Sequence, residues 1–227
     1  MSPAPKLDLM ADQGRSIDAD QEAAFLDAID RWLERRVIPV VMHHDHNDIW
    51  PAELVAEMAD MGLFGATIGQ QYGGLGLPAT TYAKIVMRIS SYWMAITGIF
   101  NSHLIMAAAI ERSGTEAQKR NYLPRMATGE VRGAFSMSEP GCGSDVAAIQ
   151  SRAVRDGDDF VLNGQKMWLT NAGFADVYIT FAKVDGRHFS CFIIEKGSPG
   201  VSLGAEEKKT GIKVELWRAL SEKIVQR

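Results

Sequence analysis

Residues 135–145 read Phe-Ser-Met-Ser-Glu-Pro-Gly-Cys-Gly-Ser-Asp, an apolar segment that runs into a loop of small residues. A proline and two glycines leave backbone N–H groups open there, and Ser138 and Ser144 add two hydroxyl donors. Such groups suit an anionic or carbonyl-rich ligand, for example a pyrophosphate or the edge of a flavin ring. Taken alone, the segment is more often a tight structural turn. It lacks the G-x-G-x-x-G pattern of a dinucleotide-binding fold.

A second informative stretch, residues 163–172, reads Asn-Gly-Gln-Lys-Met-Trp-Leu-Thr-Asn-Ala. Trp168 and Thr170 are two residues apart on a predicted strand, so their side chains should point to the same face. A flat aromatic ring beside a hydroxyl donor can pack on a planar cofactor and bond one of its ring heteroatoms. For this pair alone, a core tryptophan of a β-sandwich is the favoured interpretation.

Before these two stretches, residues 20–128 have helical periodicity. Apolar residues within 25–37 follow the i, i+3, i+4, i+7 spacing and predict a helix that ends before Pro39. Clustered glycines within 65–78 predict a loop. Three further helical segments are predicted, over 51–61, over 80–112 with a break at Gly98 or Asn101, and from a capping box at Thr115 and Gln118 onward.

After Gly129 the pattern changes to short stretches rich in β-branched and aromatic residues. The predicted strands are 160–162, 168–170, 177–182 and 189–195, and the predicted turns are Asp156-Gly157-Asp158, Asn163-Gly164, Asn171 to Gly173, and Asp185-Gly186. Such strands predict a small antiparallel sandwich or barrel. The predicted fold is therefore α+β and multidomain. An all-α domain spans residues 1–131, a β domain spans 132–213, and residues 214–227 form an atypical amphipathic helix.

The two opening stretches together resemble the paired signatures of the acyl-CoA dehydrogenase family, through Ser138-Glu-Pro-Gly-Cys-Gly-Ser-Asp145 and Lys166-Met-Trp-Leu-Thr-Asn-Ala172. In the helical half, Tyr72-Gly-Gly-Leu-Gly76 resembles the family's glycine loop, and Gly114 to Pro124 resembles the segment before its β domain. The resemblance extends from the first helix to Lys213. It implies a helical domain, a central β domain and a C-terminal four-helix bundle, with FAD bound between the last two.

The resemblance also implies an oxidoreductase of fatty acid metabolism that oxidises the Cα–Cβ bond of an acyl-CoA. In the family, a glutamate removes the α-proton, a hydride passes to the flavin, and electrons leave to an electron-transferring flavoprotein. The residues it places at FAD are Phe135, Met137, Ser138, Gly143, Ser144, Trp168 and Thr170. Ser138 would lie near the pyrimidine edge, Trp168 on the isoalloxazine and Thr170 near N5. Ser144 would also contact the thioester arm of the substrate.

The family's catalytic base lies in the C-terminal bundle, which nothing in residues 1–227 matches. Glu139 lies inside the best motif but matches a position that is not the base, so we expect a surface or structural role for it. We therefore expect no catalytic residue in this sequence and no turnover by the chain alone. A complementing C-terminal-domain chain and a homo-oligomer both stay open. It also stays open whether residues 214–227 are native or are the product of a disrupted gene.

Two other functions also stay open at this point. A non-catalytic truncated remnant, or a module that binds FAD or acyl-CoA, would keep the fold without turnover. A monooxygenase or nitroalkane-oxidase-type member of the same superfamily would consume oxygen without a separate electron acceptor.

The bulk composition argues against several further classes. The chain has 227 residues and a net charge of -4, whereas a nucleic-acid binder shows a basic excess. Cys142 and Cys191 lack metal-type spacing and predict reduced thiols. His43, His44 and His46 look like a metal cluster, but their place at a predicted helix end favours a structural role. No signal peptide, transit peptide or membrane-spanning run of ~20 apolar residues is recognised, so we expect a cytoplasmic protein.

Overall fold

The computed structural model describes residues 15–206 and 216–226, with the backbone alone from residue 205 onward. The helices are α1 (Ala19–Trp32), α2 (Ile38–His46), α3 (Ala52–Asp60), α4 (Ala79–Ser113) and α5 (Glu116–Ala127). The strands are β1 (Gly133–Ser136), β2 (Arg152–Asp156), β3 (Asp159–Thr170), β4 (Val177–Val184), β5 (His188–Glu195), β6 (Val201–Glu206) and β7 (Leu216–Gln226). The predicted order, a helical domain and then a small β domain, is confirmed.

The first helical stretch does not end before Pro39, as the sequence predicts. A π-helical turn, Leu33–Val37, joins α1 to α2, and Pro39 lies in the first turn of α2. The first turn of a helix tolerates proline because its N–H groups have no partner within the helix. The π turn resets the hydrogen bonding just before this point, so the chain stays helical through the proline.

α4 is a single 35-residue helix that is kinked at Trp93 rather than at Gly98 or Asn101. The hydroxyl of Ser91 donates to the Arg88 carbonyl at 2.7 Å, a type of bond that bends helices. The indole of Trp93 donates to Asp45 of α2 at 3.1 Å and fixes the bent segment. By length and composition α4 could cross a membrane, but 61% of its most apolar window is buried inside the protein, as in a core helix.

The seven strands of the described residues form one mixed sheet centred on β4. β4 pairs antiparallel with β5 along its length, and its other edge pairs in parallel with β1 and then β2. β3 pairs antiparallel with β2 and β7, and β6 pairs with β7. The sheet is therefore not wholly antiparallel. Long connections separate β1 and β2 from β4, and parallel pairing requires such connections.

Two predicted hairpin turns are confirmed, Asp156-Gly157-Asp158 before β3 and Asp185-Gly186 before β5. Gly157, Asp185 and Gly186 have the positive φ that such turns need. The predicted turn at Asn163-Gly164 is wrong, because both residues lie within β3. A Cβ at Gly164 would lie 2.2 Å from the Ser151 hydroxyl, so this glycine permits a close approach between strands.

The prediction of a helix over residues 214–227 is also wrong where the structure describes the tail. Residues 216–226 form β7, which pairs with β3 from Leu216↔Thr170 to Gln226↔Phe160. A helix this short has little stability of its own. Strand pairing instead satisfies the backbone N–H and C=O groups along the edge of β3, a requirement that amphipathic spacing does not reveal.

The helical and β halves are joined by buried hydrogen bonds from α4. His103 Nδ1 accepts the Gly133 N–H at 3.0 Å, and its Nε2 lies 3.1 Å from the carbonyls of both Phe64 and Met126. The bond from Gly133 requires that the ring proton be on Nε2. Burial lowers the pKa of His103 to about 4, so the ring is neutral at pH 7. Asn171 donates to the Ile99 carbonyl at 2.6 Å and forms a second link to α4.

Candidate functional site

The predicted site residues lie on two connected segments, the end of β1 with the loop after it, and the end of β3. Their places are Phe135 on β1, Met137 and Ser138 just after it, Gly143 and Ser144 in the exposed loop, and Trp168 and Thr170 at the end of β3. The segments are in direct contact, because the Met167 N–H donates to the Ser138 carbonyl at 2.9 Å. Phe135 is partly exposed and packs on Phe181 of β4, with ring centroids 5.2 Å apart.

Three hydroxyls on these segments have no hydrogen-bond partner among residues 15–204. Within residues 15–204, the side chains of Ser138, Ser144 and Thr170 make no hydrogen bond. The backbone N–H groups of Gly143 and Ser144 are also unpaired within this range. Donors that the protein leaves unpaired must be satisfied by water or by a ligand. This set is suited to a ligand that is rich in acceptor atoms.

The loop also leaves space around its glycines. A Cβ built on Gly141 or Gly143 would meet no atom within 4 Å. Packing within the protein therefore does not require glycine at either position. Small residues here keep the backbone accessible to a molecule that lies against the loop.

Trp168 has an unusual backbone conformation for a bulky residue. Its φ is 58°, and it lies in an irregular part of β3, between Lys166 and Leu169, where the pairing with β7 shifts register. Positive φ costs energy in a residue of this size, and such strain is concentrated at functional sites. Trp168 is 50% exposed whereas Leu169 is buried, so the indole lies outside the core. Trp168 is therefore not the core residue that the Trp168 and Thr170 pair alone favours. Its flat aromatic face is open to a ligand.

A buried ion pair lies beneath the loop. Lys166 Nζ is 2.7 Å from Glu139 Oε1, and each side chain is only 5% exposed. Glu139 also accepts the Ser151 hydroxyl and the N–H groups of Gln150 and Ser151, and Lys166 also donates to the Met137 carbonyl at 3.0 Å. Burial raises the pKa of the Glu139 carboxyl, but the hydrogen bonds from Lys166, Ser151 and Gln150 outweigh it and leave the pKa below its usual value. Burial lowers the pKa of Lys166 by more than Glu139 raises it.

Glu139 therefore has a structural role, one of the two roles predicted for it. Its carboxylate is paired with Lys166 and hydrogen-bonded to Gln150 and Ser151. Lys166 is the important residue that the sequence analysis missed, because a single lysine on a strand usually reaches solvent. Each motif carries one charged side chain, Glu139 or Lys166, but the sequence does not show that either is buried. Only the contact between the two motifs turns these residues into a pair.

The three histidines at the end of α2 belong to a different part of the fold. His43, His44 and His46 are in the last turn of α2. The ring of His44 lies 6.0 Å from that of Trp93, and its Nδ1 is 3.3 Å from the Ile49 carbonyl. Within the part of the chain that the structure describes, no group of three His, Cys, Asp or Glu side chains could hold a metal ion.

Comparison with known proteins gives two family matches. The model described as "Acyl-CoA dehydrogenase, N-terminal domain" matches residues 19–130, and the model for the middle domain of the same family matches residues 134–222. The predicted boundary between residues 131 and 132 falls between these matches, and the second match extends past residue 213 into the tail.

Individual relatives and solved structures give the same result. A probable acyl-CoA dehydrogenase of Bacillus subtilis is 38% identical over 205 residues, which are 88% of this chain and 34% of the relative. Butyryl-CoA dehydrogenase of Megasphaera elsdenii has a TM-score of 0.87 at 30% identity, over 93% of this chain and 58% of that structure. A glutaryl-CoA dehydrogenase of Mycobacterium smegmatis in complex with FADH2 has a TM-score of 0.85 at 28% identity, over 92% and 54%. The chain spans about a third to a half of the length of the curated relatives it matches.

Proposed function

Because this chain belongs to the acyl-CoA dehydrogenase family, we propose that it forms the flavin- and thioester-binding part of an enzyme that oxidises the Cα–Cβ bond of an acyl-CoA. One observation carries the proposal. Two motifs separated in sequence meet through the bond from Met167 to Ser138, and the same two segments carry the half-exposed Trp168 and hydroxyls that are unpaired within residues 15–204. FAD, when bound, supplies the acceptor for the hydride that leaves the substrate.

Each predicted residue has a defined task in this proposal. The hydroxyls of Ser138 and Thr170 donate to the acceptor atoms of the flavin ring, and Trp168 packs on its flat face. The unpaired N–H groups of Gly143 and Ser144 suit a pyrophosphate, and the Ser144 hydroxyl also suits the thioester arm of the substrate. Phe135 and Met137 provide the apolar wall of the site. These donors and apolar surfaces match the chemistry of a flavin, so FAD fits the residues present.

We further propose that the base for the α-proton comes from outside the described residues. The carboxylate of Glu139 is buried and bonded to Lys166, so it is not free to accept a proton from a substrate. A C-terminal region, in the same polypeptide or in a complementing chain, is the proposed source. Transfer of electrons to an electron-transferring flavoprotein and assembly into a homo-oligomer belong to the same proposal.

The test uses the purified chain with added FAD. Quenching of flavin fluorescence measures binding, and anaerobic bleaching of the flavin by an acyl-CoA measures the oxidation. We expect FAD binding by the chain alone, and bleaching only after addition of the C-terminal half of a relative. Absence of both binding and bleaching, with and without that half, would overturn the proposal.

The same test separates the two alternatives. Binding of FAD without bleaching under either condition identifies a non-catalytic binding module. Rapid oxygen consumption without an added electron acceptor identifies an oxidase or monooxygenase of the same superfamily.

A further inference from the structure

The loop that carries Gly143 and Ser144 is held at both of its ends by one carboxylate. Glu139 stands at the start of the loop, and its carboxylate accepts the N–H groups of Gln150 and Ser151 at the end. A short bridge between Glu139 and Cys142 further fixes the start, with N···O distances of 2.9 and 3.2 Å. The residues between positions 139 and 150 therefore form a closed loop whose shape depends on Glu139.

Lys166 joins this closed loop to the strand that ends at Trp168. Its Nζ donates to the Met137 carbonyl and to Glu139, the residues on either side of Ser138. The next residue of β3, Met167, donates its N–H to the Ser138 carbonyl. Three consecutive residues of the first motif are thus held by two consecutive residues of the second. The Ser138 hydroxyl, which makes no bond within residues 15–204, is left for a ligand.

A buried ion pair is a weak source of stability, because the cost of removing two charges from water offsets their attraction. Apolar or neutral replacement of both partners is often tolerated, whereas removal of one partner leaves a buried charge without compensation. The many hydrogen bonds of Glu139 and Lys166 are therefore better explained by a role in positioning the backbone than by a contribution to stability. These bonds fix where the loop lies relative to Trp168.

We propose that Glu139 and Lys166 are positioning residues that hold the ligand-binding loop in register with the Trp168 end of β3 and thereby set the affinity for FAD. The inference rests on the proposed function, because it concerns the same flavin site. Neither residue contacts the reacting atoms in this proposal. Both act through the backbone of Ser138 and of the loop.

The experiment compares four variants of the full chain with the wild type: Glu139→Gln, Lys166→Met, the double variant, and Glu130→Gln as a control. Glu130 belongs to an exposed ion pair with Arg125 on α5, so its loss should change nothing. The measurements are the thermal midpoint, the Kd for FAD from fluorescence quenching, and backbone hydrogen exchange at residues 141–151 and at Met167.

Each single variant should lower the thermal midpoint and raise the Kd. The double variant should recover most of the midpoint, because it contains no unpaired buried charge. Its Kd should nevertheless stay at least tenfold above that of the wild type, and its loop amides should exchange faster. A double variant with wild-type Kd and wild-type exchange would show that the pair has no positioning role. A double variant that does not fold would also contradict the inference, since the pair would then be required for stability.

Hydrogen exchange separates this inference from the proposed function. If the wild-type chain binds no FAD, the proposed function fails, but the exchange measurement still decides the positioning role. Faster exchange in the loop and at Met167 of the folded double variant supports that role. Unchanged exchange in that variant overturns it.

Discussion

At the scale of single residues, the site is defined by three hydroxyls that make no hydrogen bond to the described side chains and backbone. We predict that Ser138→Ala, Ser144→Ala and Thr170→Val each weaken FAD binding roughly fivefold, since a hydrogen bond contributes about 1 kcal/mol net. The thermal midpoint should not change, because these hydroxyls make no bond within residues 15–204. Titration with FAD and thermal unfolding of each variant provide the two measurements.

Thr81→Val is the matched control for this prediction. Thr81 is buried at the start of α4, and its hydroxyl donates to Glu22 of α1 rather than to a residue of the site. Its loss should lower the thermal midpoint and leave FAD affinity unchanged. Site variants that lose stability while keeping their affinity would show that the three hydroxyls serve the fold instead.

His103 gives a prediction about pH. The pKa of this buried ring is lowered to about 4 in the folded chain, against 6.5 for an ordinary histidine. Between these values the unfolded chain binds more protons than the folded one, so stability falls as the pH falls from about 6.5 to about 4. The full effect is about 3 kcal/mol for this shift. Urea unfolding at a series of pH values between 4 and 7 measures it.

The variant His103→Gln should lower stability at pH 7, because it disrupts the bond from Gly133. It should also flatten the dependence of stability on pH in this window. His44→Gln serves as control, because His44 is not buried and lies on α2. A slope between pH 4 and 6.5 that is the same in His103→Gln and in the wild type would show that other groups cause it.

At the scale of elements, the glycine loop within 65–78 depends on close backbone contacts. A Cβ at Gly74 would lie 2.2 Å from the Ile68 carbonyl oxygen, and the backbone there cannot move aside easily. We predict that Gly74→Ala lowers the free energy of unfolding by about 1–3 kcal/mol, the usual cost of overpacking. Gly141→Ala, where a Cβ meets nothing within 4 Å, should leave stability unchanged. Equal midpoints for the two variants would contradict this account.

The sequence predicts those elements whose signals are local. The capping box of Thr115 and Gln118 opens α5 as expected, and Gly62 follows α3 with a φ of 76°. The hairpins at Asp156-Gly157-Asp158 and Asp185-Gly186 also follow from turn chemistry alone. In each case the residues that decide the structure are neighbours in sequence.

Three of the wrong predictions share a different cause. The bent segment at Trp93 is fixed by a bond to Asp45 of another helix, and Gly164 lies against Ser151, just before β2, where a side chain would clash. The tail forms β7 because β3 offers an unpaired edge. Local patterns cannot show these distant partners, and tertiary contacts override propensity in such segments.

The same distinction holds for the candidate site. Ser138, Ser144, Trp168 and Thr170 are recognisable from two short motifs, because each motif carries its own chemistry. The role of Lys166 is not recognisable in this way, because it depends on contact with Met137 and Glu139 of the other motif.

At the scale of the whole molecule, the helical and β halves share one hydrophobic core. Val177 and Ile179 of β4 belong to the same buried cluster as the residues of α1, α3 and α4, and Phe174 of the β half packs on Trp50 with centroids 4.5 Å apart. His103 and Asn171 add buried hydrogen bonds across the same boundary. Neither half can lose its partner without exposing apolar surface.

We therefore predict that the two halves unfold together in one transition. Circular dichroism at 222 nm reports the helices, and hydrogen exchange at the amides of β4 reports the sheet, so both should give the same urea midpoint. Ile179→Ala, a change in the sheet at a buried position, should lower the free energy of unfolding by the roughly 2–5 kcal/mol typical of such a cavity and should lower both midpoints equally. Val154→Ala, on the exposed side of β2, should change neither. Two separate midpoints, or a loss confined to the sheet in Ile179→Ala, would show that the shared core does not couple the halves.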